Sequence, residues 1–477
     1  MEWFIAPESW TDDKVWQSRK ESGFKMHVCF WFLSLVGDQA GLRARRTHQR
    51  VPPPVAPLGL TWRAKKRNAT FSSTTPLLES LACDRSLGFL WGILLLLPLA
   101  LGASGCGLSS GKGSSNSGSA FNLTVANVTD LGTIPPNPDI LGRDGGYSAV
   151  FQGYSVWLYG DTFLAIPNAA DFTLISDSWS YTKDLNAQGG ITGLQERLDS
   201  VGAPTMILPE TPDEQAYNAA HNSNRCQQQP CGARWALWPG SIVVVPVSGN
   251  ALIFYSLVSA LPGNFNFQAV GNSVATWQSI QDQPQRPTIN PPIVADHPDL
   301  LFDQNEPNFG SAALIRGGTL YVYGCGTPTN GSDKGCRLGK VDPASVLDRG
   351  AWTFYGNNGN WSSQIGDAIS VFTGDNIVSV AWNNYLQRYV AVYSAPLSQN
   401  VMMRTSPNPE GPWSDEIIAF TAMQPASGNV HDAQAHPEYD VNGGQTIYVT
   451  YSRSTPVPFS SEVRLVSITL QAPNGQP

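Results

Sequence analysis

Arg143-Asp-Gly-Gly-Tyr-Ser-Ala-Val-Phe-Gln-Gly-Tyr-Ser-Val-Trp-Leu-Tyr-Gly-Asp-Thr162 reads as two strands joined by a tight turn. Tyr147 to Gln152 and Ser155 to Tyr159 are rich in β-branched and aromatic residues, and Gly153-Tyr154 supplies the bend. Asp144 and Asp161 stand about equally far from that turn. An antiparallel hairpin therefore brings them to the same end of its ladder. Two acids at one hairpin mouth, each beside a glycine, read either as a site or as a pair of turn caps.

Four later stretches repeat the form. They are Ser241 to Ser256 around Ser248-Gly-Asn250, Ser311 to Gly324 around Gly317-Gly318, Ser379 to Ser394, and His436 to Ser452. Each second strand ends in an aromatic residue followed by a small one: Tyr159-Gly, Tyr255-Ser, Tyr323-Gly, Tyr393-Ser and Tyr451-Ser. From Phe121 onward there is almost no helical period, and turn residues are frequent, so the body is all-β. Self-similar hairpins at spacings of this order signal radial repetition. The expectation is one five-bladed β-propeller over residues 121–477, a single domain and a monomer. A β-sandwich is the competing architecture, and the lack of a linker-like gap between repeats argues against it.

The first 120 residues have a different character. Residues 1–85 mix scattered tryptophans with basic clusters and no sustained period, and are expected to be a non-structural extension ahead of the true start, or else a cytoplasmic tail. Residues 86–106 hold an apolar run that ends in Ala103-Ser-Gly-Cys106, and residues 107–120 are mostly Gly and Ser. A charged stretch, a short apolar core and a small-residue exit make a secretory signal. The small residues before Cys106 resemble a bacterial lipobox, with Ala103 where Leu is usual. That resemblance implies lipidation of Cys106 and a flexible tether to the membrane; an uncleaved apolar anchor is the other reading. Both place the body outside the cytoplasm, at the cell envelope.

Charge and cysteine content agree with that placement. After Cys106 there are 16 Lys or Arg against 29 Asp or Glu, a net charge of −13. Such a body is a poor partner for nucleic acid. Its four cysteines form two local couples, Cys226 with Cys231 and Cys325 with Cys336, which read as loop-stapling disulfides in an exported protein.

In a propeller the first strand of each blade lines a channel, and ligand sites lie at one mouth of it. Blade one offers Arg143, Asp144 and Asp161 to that rim. Blade two offers Arg234, Trp235 and Trp238, and blade three offers Glu306. Blade four offers Asp367 and Asp375, and blade five His431, Asp432, His436 and Arg453. Trp235 and Trp238 either stack on sugar rings or belong to the core. Arg143 either orients the acids or forms a structural bridge. No cofactor is required, although His431 and His436 leave an axial metal open and the acidic rim leaves a structural calcium open.

The Arg143 to Ser148 and Trp157 to Thr162 runs resemble the opening of the domain-of-unknown-function family 4185. So do Phe309-Gly-Ser-Ala-Ala313, Ser379-Val-Ala-Trp-Asn383, Arg404 to Trp413 and His436-Pro437. That family is similar in architecture to five-bladed arabinan-cutting glycoside hydrolases, and some members form glycoside hydrolase family 183, endo-acting on D-arabinan. The resemblance implies a polysaccharide substrate and catalytic carboxylates at Asp144 and Asp161. Glycoside cleavage needs one carboxylic acid to protonate the leaving oxygen and one carboxylate as nucleophile or base. The expected set is Asp144 and Asp161 with Glu306 as third carboxylate, and Arg143, Arg234, Trp235, Trp238, His436 and Arg453 toward substrate. A surface lipoprotein that binds glycan or protein without cutting it is the alternative.

Overall fold

The computed structural model describes residues 121–263 and 265–473. The expected signal segment, Cys106 and the Gly/Ser linker lie outside the described residues. Five sheets are arranged as the blades of a propeller. The inner strands are Ile140–Phe151, Arg234–Val244, Phe309–Arg316, Val378–Asn383 and His431–Ala435, and each pairs antiparallel with the strand that follows it. Inner strands of successive blades neighbour one another around the ring, and that of blade five neighbours that of blade one.

The opening hairpin folds as its sequence dictates, with the turn one residue earlier than expected. Phe151 pairs with Tyr154 across Gln152-Gly153, whose φ values of 50° and 81° make the twist-matched two-residue turn. The fifth repeat departs further. Its inner strand is His431–Ala435, while Pro437–Tyr439 and Asn442–Gly444 form short 3-10 turns before the second strand Thr446–Ser454. Pro437 has no N–H to give a ladder, which excludes it from an inner strand.

Blade five is built from both ends of the chain. Thr124–Thr133 pairs antiparallel with Ser461–Gln471 as the outermost strand, with Thr124 opposite Gln471 and Thr133 opposite Arg464. Arg464 adds an ion pair to Asp130 at 2.9 Å.

The core is divided among the seams between blades. One apolar cluster joins blades one and two through Phe151, Val156, Tyr255 and Trp277. Others join two to three, three to four, four to five, and five back to one. The repeated Tyr159, Tyr255, Tyr323, Tyr393 and Tyr451 are all buried in them. Both expected disulfides form, Cys226–Cys231 in a loop and Cys325–Cys336 across paired strands of blade three.

The one α-helix among the described residues, Pro212–His221, starts at Thr211 with a capping box to Glu214 and Pro at its first turn. Arg286 ties it to blade two, donating to both Glu214 oxygens at 2.6 and 2.8 Å and to Asp299 at 2.7 Å. Periodicity alone gives no sign of this helix; Thr211-Pro-Asp-Glu214 is its sequence signal.

Blades two and three approach so closely at Gly310 that no side chain fits. Its φ is +119°, and an added Cβ would lie 2.5 Å from Phe254 Cβ. Gly310→Ala is therefore expected to destabilise the protein by about 3 kcal/mol or more, read as a lower midpoint in urea unfolding.

Candidate active site

Four of the five inner strands carry a bulge, the exception being Val378–Asn383. A bulge turns two residues against one on the partner strand and re-aims a side chain. In blade one the irregularity spans Arg143 to Tyr147, where Gly145 and Gly146 take φ of +84° and +142°. Those values suit glycine alone, and they let Asp144 leave the ladder. Blade five pins the bulge: Ser452 Oγ accepts from Gly145 N at 3.2 Å, and Ser461 Oγ accepts from Arg143 N at 3.0 Å. In blade five itself the irregularity lies between His431 and Gln434, with Asp432 at φ 56°.

These bulges bring carboxylates and cations from different blades to one channel mouth. His431 Nε2 donates to Asp144 Oδ1 at 3.1 Å. Asp161 is held from blade two, where Arg234 donates to both of its oxygens and Trp238 Nε1 donates to Oδ1 at 2.9 Å. Lys334 of blade three pairs with Asp375 at 3.2 Å, and both line a small pocket with His431 and Asp432. Asp144 bears electrostatically on both Asp161 and Asp432, and Asp375 on Asp432. Asp144 thus couples to Asp161 and to Asp432, and Asp432 in turn to Asp375.

The position of Arg234 is built by the helix. Asn218 accepts from Trp235 N at 2.7 Å and donates to Trp235 O at 2.9 Å, satisfying the backbone of the strand start beyond the ladder. Tyr147 closes the floor, with its hydroxyl donating to Ser311 O at 3.0 Å.

Burial governs the protonation of this group. It pushes Asp161 up to about 6, against Arg234 and the Trp238 N–H and with help from Asp144. It pushes Asp432 up to about 6 as well, against His431 and with help from Asp144 and Asp375. For His431 burial acts downward, but Asp144 and Asp432 overcome it and hold the imidazole at about 9. His431 is therefore a cation at neutral pH. Desolvation raises a carboxylate and neighbouring like charges raise it further, the two conditions by which a site keeps a carboxylic acid protonated near neutrality.

The remaining expected residues lie elsewhere. Glu306 is gripped by Arg349 at 2.6 Å and accepts from Asp303 N at 3.0 Å, with the guanidinium 4.4 Å over Phe302. The third carboxylate beside Asp144 is Asp432. Arg143 points away from Asp144 to Glu196 at 2.9 Å and lies 3.5 Å over the Tyr159 ring, so it is a structural bridge. Trp235 alternates to the opposite face of its strand from Arg234 and packs on His297 at 4.9 Å. Arg453 is paired with Glu462, donating through Nε at 2.6 Å. His436 is sealed between blades one and five, stacked 4.2 Å from Trp157. Its nitrogens meet Ser148 Oγ at 2.6 Å and Thr450 Oγ1 at 2.7 Å. The two histidines thus face different partners, and among the described residues no group of three or more His, Cys, Asp or Glu side chains is disposed to hold a metal ion. Asp367 accepts from Ser362 Oγ at 2.5 Å, on the outer part of blade three.

Fold and mouth define a five-bladed β-propeller with a carboxylate-lined channel entrance. The chain belongs to the domain of unknown function family DUF4185, whose model matches residues 129–456. No curated protein matches the sequence. Among solved structures it is similar to a family 117 glycoside hydrolase of Zobellia galactanivorans, at 13% identity over 73% of this chain and 91% of that one, TM-score 0.43. It is also similar to a glycosyl hydrolase from Bacteroides ovatus, at 11% identity over 73% and 93%, TM-score 0.40. A third is the catalytic domain of the family 62 α-L-arabinofuranosidase of Coprinopsis cinerea, at 9% identity over 73% and 98%, TM-score 0.39.

Two stability measurements test the electrostatics. Asp432 has a folded pKa of about 6 against an unfolded value near 3.8, so its ionised form costs the fold stability as pH rises through that window and costs nothing below it. Asp432→Asn should therefore melt a few degrees higher than the parent at pH 8, with the gap closing toward pH 4. Burial holds His436 down at about 3, so it stays neutral in the fold and takes a proton when unfolded. Stability should fall by about 1.4 kcal/mol per pH unit from this group between pH 6.5 and 3, and His436→Gln should flatten that slope.

Proposed function

We propose that this chain is a glycoside hydrolase, exported to the bacterial cell envelope and tethered through lipidated Cys106, that cuts a neutral polysaccharide. An arabinan is the first candidate, because the Arg143 to Thr162 run resembles the opening of family 4185, some members of which cut D-arabinan. The observation that carries the reading is the convergence of Asp144, Asp161 and Asp432 at one mouth, with two of the three pushed up to about 6.

The roles follow from the partners. Asp432 lines the pocket and is protonated below about pH 6, which suits the acid that gives its proton to the leaving glycosidic oxygen. Asp144 takes the nucleophile or base position, oriented by the His431 imidazolium. It either attacks the anomeric carbon or removes a proton from the water that does. Both oxygens of Asp161 are engaged by Arg234 and Trp238, so this carboxylate stays in place and sets the field around Asp144. Arg234, His431 and Lys334 are each paired with an acid of the mouth, which favours a neutral polymer over an anionic one.

Release of reducing ends from a panel of arabinans, xylans and glucans tests the reading. Asp144→Asn and Asp432→Asn should each lower kcat by about 10²–10⁴-fold while the melting transition persists. Glu306→Gln should leave kcat within about twofold. The rate of the parent should fall above pH 6 as Asp432 loses its proton, and that limb should vanish in the residual activity of Asp432→Asn. Parental turnover in both Asn variants would remove the assignment. Retention of a polysaccharide with no product formed would make the protein a binding lipoprotein.

A further inference from the structure

The turns that join inner and second strands lie on the face opposite the mouth. Near that face, blades three and four carry a row of aromatic rings. Trp382 meets Tyr389 edge-on at 5.0 Å, and the Arg316 guanidinium lies 4.5 Å over the Trp382 ring. Trp361 lies 5.4 Å from Tyr355 and 6.3 Å from Tyr321, with Lys340 Nζ 3.9 Å over its ring. Tyr389 connects the two groups, since it senses Arg316, Tyr321 and Glu410 electrostatically. Trp361, Trp382, Tyr321 and Tyr355 are half-buried, and Arg316 is exposed.

The chain enters the described body at the same edge. Arg388 stands 4.0 Å over the ring of Phe121, and Asn383–Arg388 is the pair directly beside Trp382–Tyr389 in the ladder of blade four. The two pairs project from opposite faces of one sheet, so Phe121 and the aromatic row are separated by about a sheet thickness, roughly 10 Å. Between Phe121 and Cys106 lie only residues 107–120, mostly Gly and Ser. A Gly/Ser-rich run of that length has a random-coil reach of about 20 Å root-mean-square.

We propose that this edge of blades three and four is a membrane-contact surface, seated in the anionic headgroup layer to which Cys106 is tethered, with the channel mouth turned away. The inference rests on the tether proposed above. Tyrosine and tryptophan place an apolar body and a polar tip at a lipid–water boundary, while lysine and arginine keep their charges among the headgroups. The tether makes the contact intramolecular, so a few weak interactions suffice to hold the orientation. Arg316 and Lys340 supply positive charge on a body whose net charge is −13. Sugar stacking fits the row less well, because each tryptophan already has a cation on its ring and a tyrosine against it.

Full-length lipidated protein floated on vesicles of phosphatidylcholine and phosphatidylglycerol (3:1) tests this by amide hydrogen exchange. Flotation reports the tether, and exchange reports the contact. Residues 316–321, 353–362 and 380–389 should exchange about tenfold more slowly on vesicles than in detergent, with the mouth segments 395–399 and 455–460 unchanged. Two variants that keep the strands, Trp361→Ser with Trp382→Ser and Arg316→Glu with Lys340→Glu, should each lose that protection while still floating. Flotation with no slowing at the aromatic row, or with slowing at the mouth segments instead, would overturn the contact and leave the tether intact. Failure to float would overturn both. Protection of the row by soluble arabinan but not by vesicles would make it a polysaccharide platform and overturn the proposal.

Discussion

One pattern repeated five times holds this molecule together: a buried tyrosine within each second strand and the small residue that follows it. The tyrosine fills a seam, and its hydroxyl must find a partner there because an unpaired buried hydroxyl costs about 1–3 kcal/mol. Tyr255 meets Asp299, Tyr323 meets Pro409 O, Tyr393 meets Glu416, and Tyr451 accepts from Met423 N. The small residue then lets the next blade come close. Ser394 Oγ accepts from Ala433 N, Ser452 Oγ from Gly145 N, and Ser256 donates to Asn308. At Gly324 a Cβ would crowd Phe309 N of the same blade at 3.0 Å. At the three serine positions the signature sets the spacing of neighbouring blades.

The mouth inherits its geometry from these seams. Asp144 belongs to blade one, but its backbone is pinned by Ser452 and Ser461 of blade five. Asp161 belongs to blade one, but is held by Arg234 of blade two, whose strand start is completed by the helix. Each carboxylate thus answers to a neighbouring blade, and a disturbance at a seam moves the charges at the mouth. The burial that fixes them also raises two of them to about 6, a cost that the apolar clusters offset elsewhere in the ring.

The repeated hairpins were legible because each hides an alternating apolar face, and counting outward from one turn was enough to bring Asp144 and Asp161 together. Two parts were not legible for physical reasons. Thr124–Thr133 is mostly exposed at the ring's edge, so no buried face writes a pattern into it. His431–Ala435 is a strand of His, Asp, Ala and Gln whose polar side chains serve the mouth, and it holds no β-branched residue at all. Missing that strand displaced the fifth hairpin and favoured Glu306 over Asp432 as third carboxylate. Counting back from Tyr451-Ser452, whose Ser452 faces His431, locates it. Chemistry visible as single residues, such as Arg143 or His436, went to structure because the seams claim any polar group they bury.

The composite fifth blade has a consequence for when the molecule becomes whole. Thr124 pairs with Gln471, so the first strand of the body to be made waits for the last. Until the C-terminal strand arrives, the ring has two raw edges and cannot close. Such pairing is slow to form, since the closure entropy of nearly the whole propeller precedes any reward. That delay keeps the ring open until the strand Ser461–Gln471 has been made.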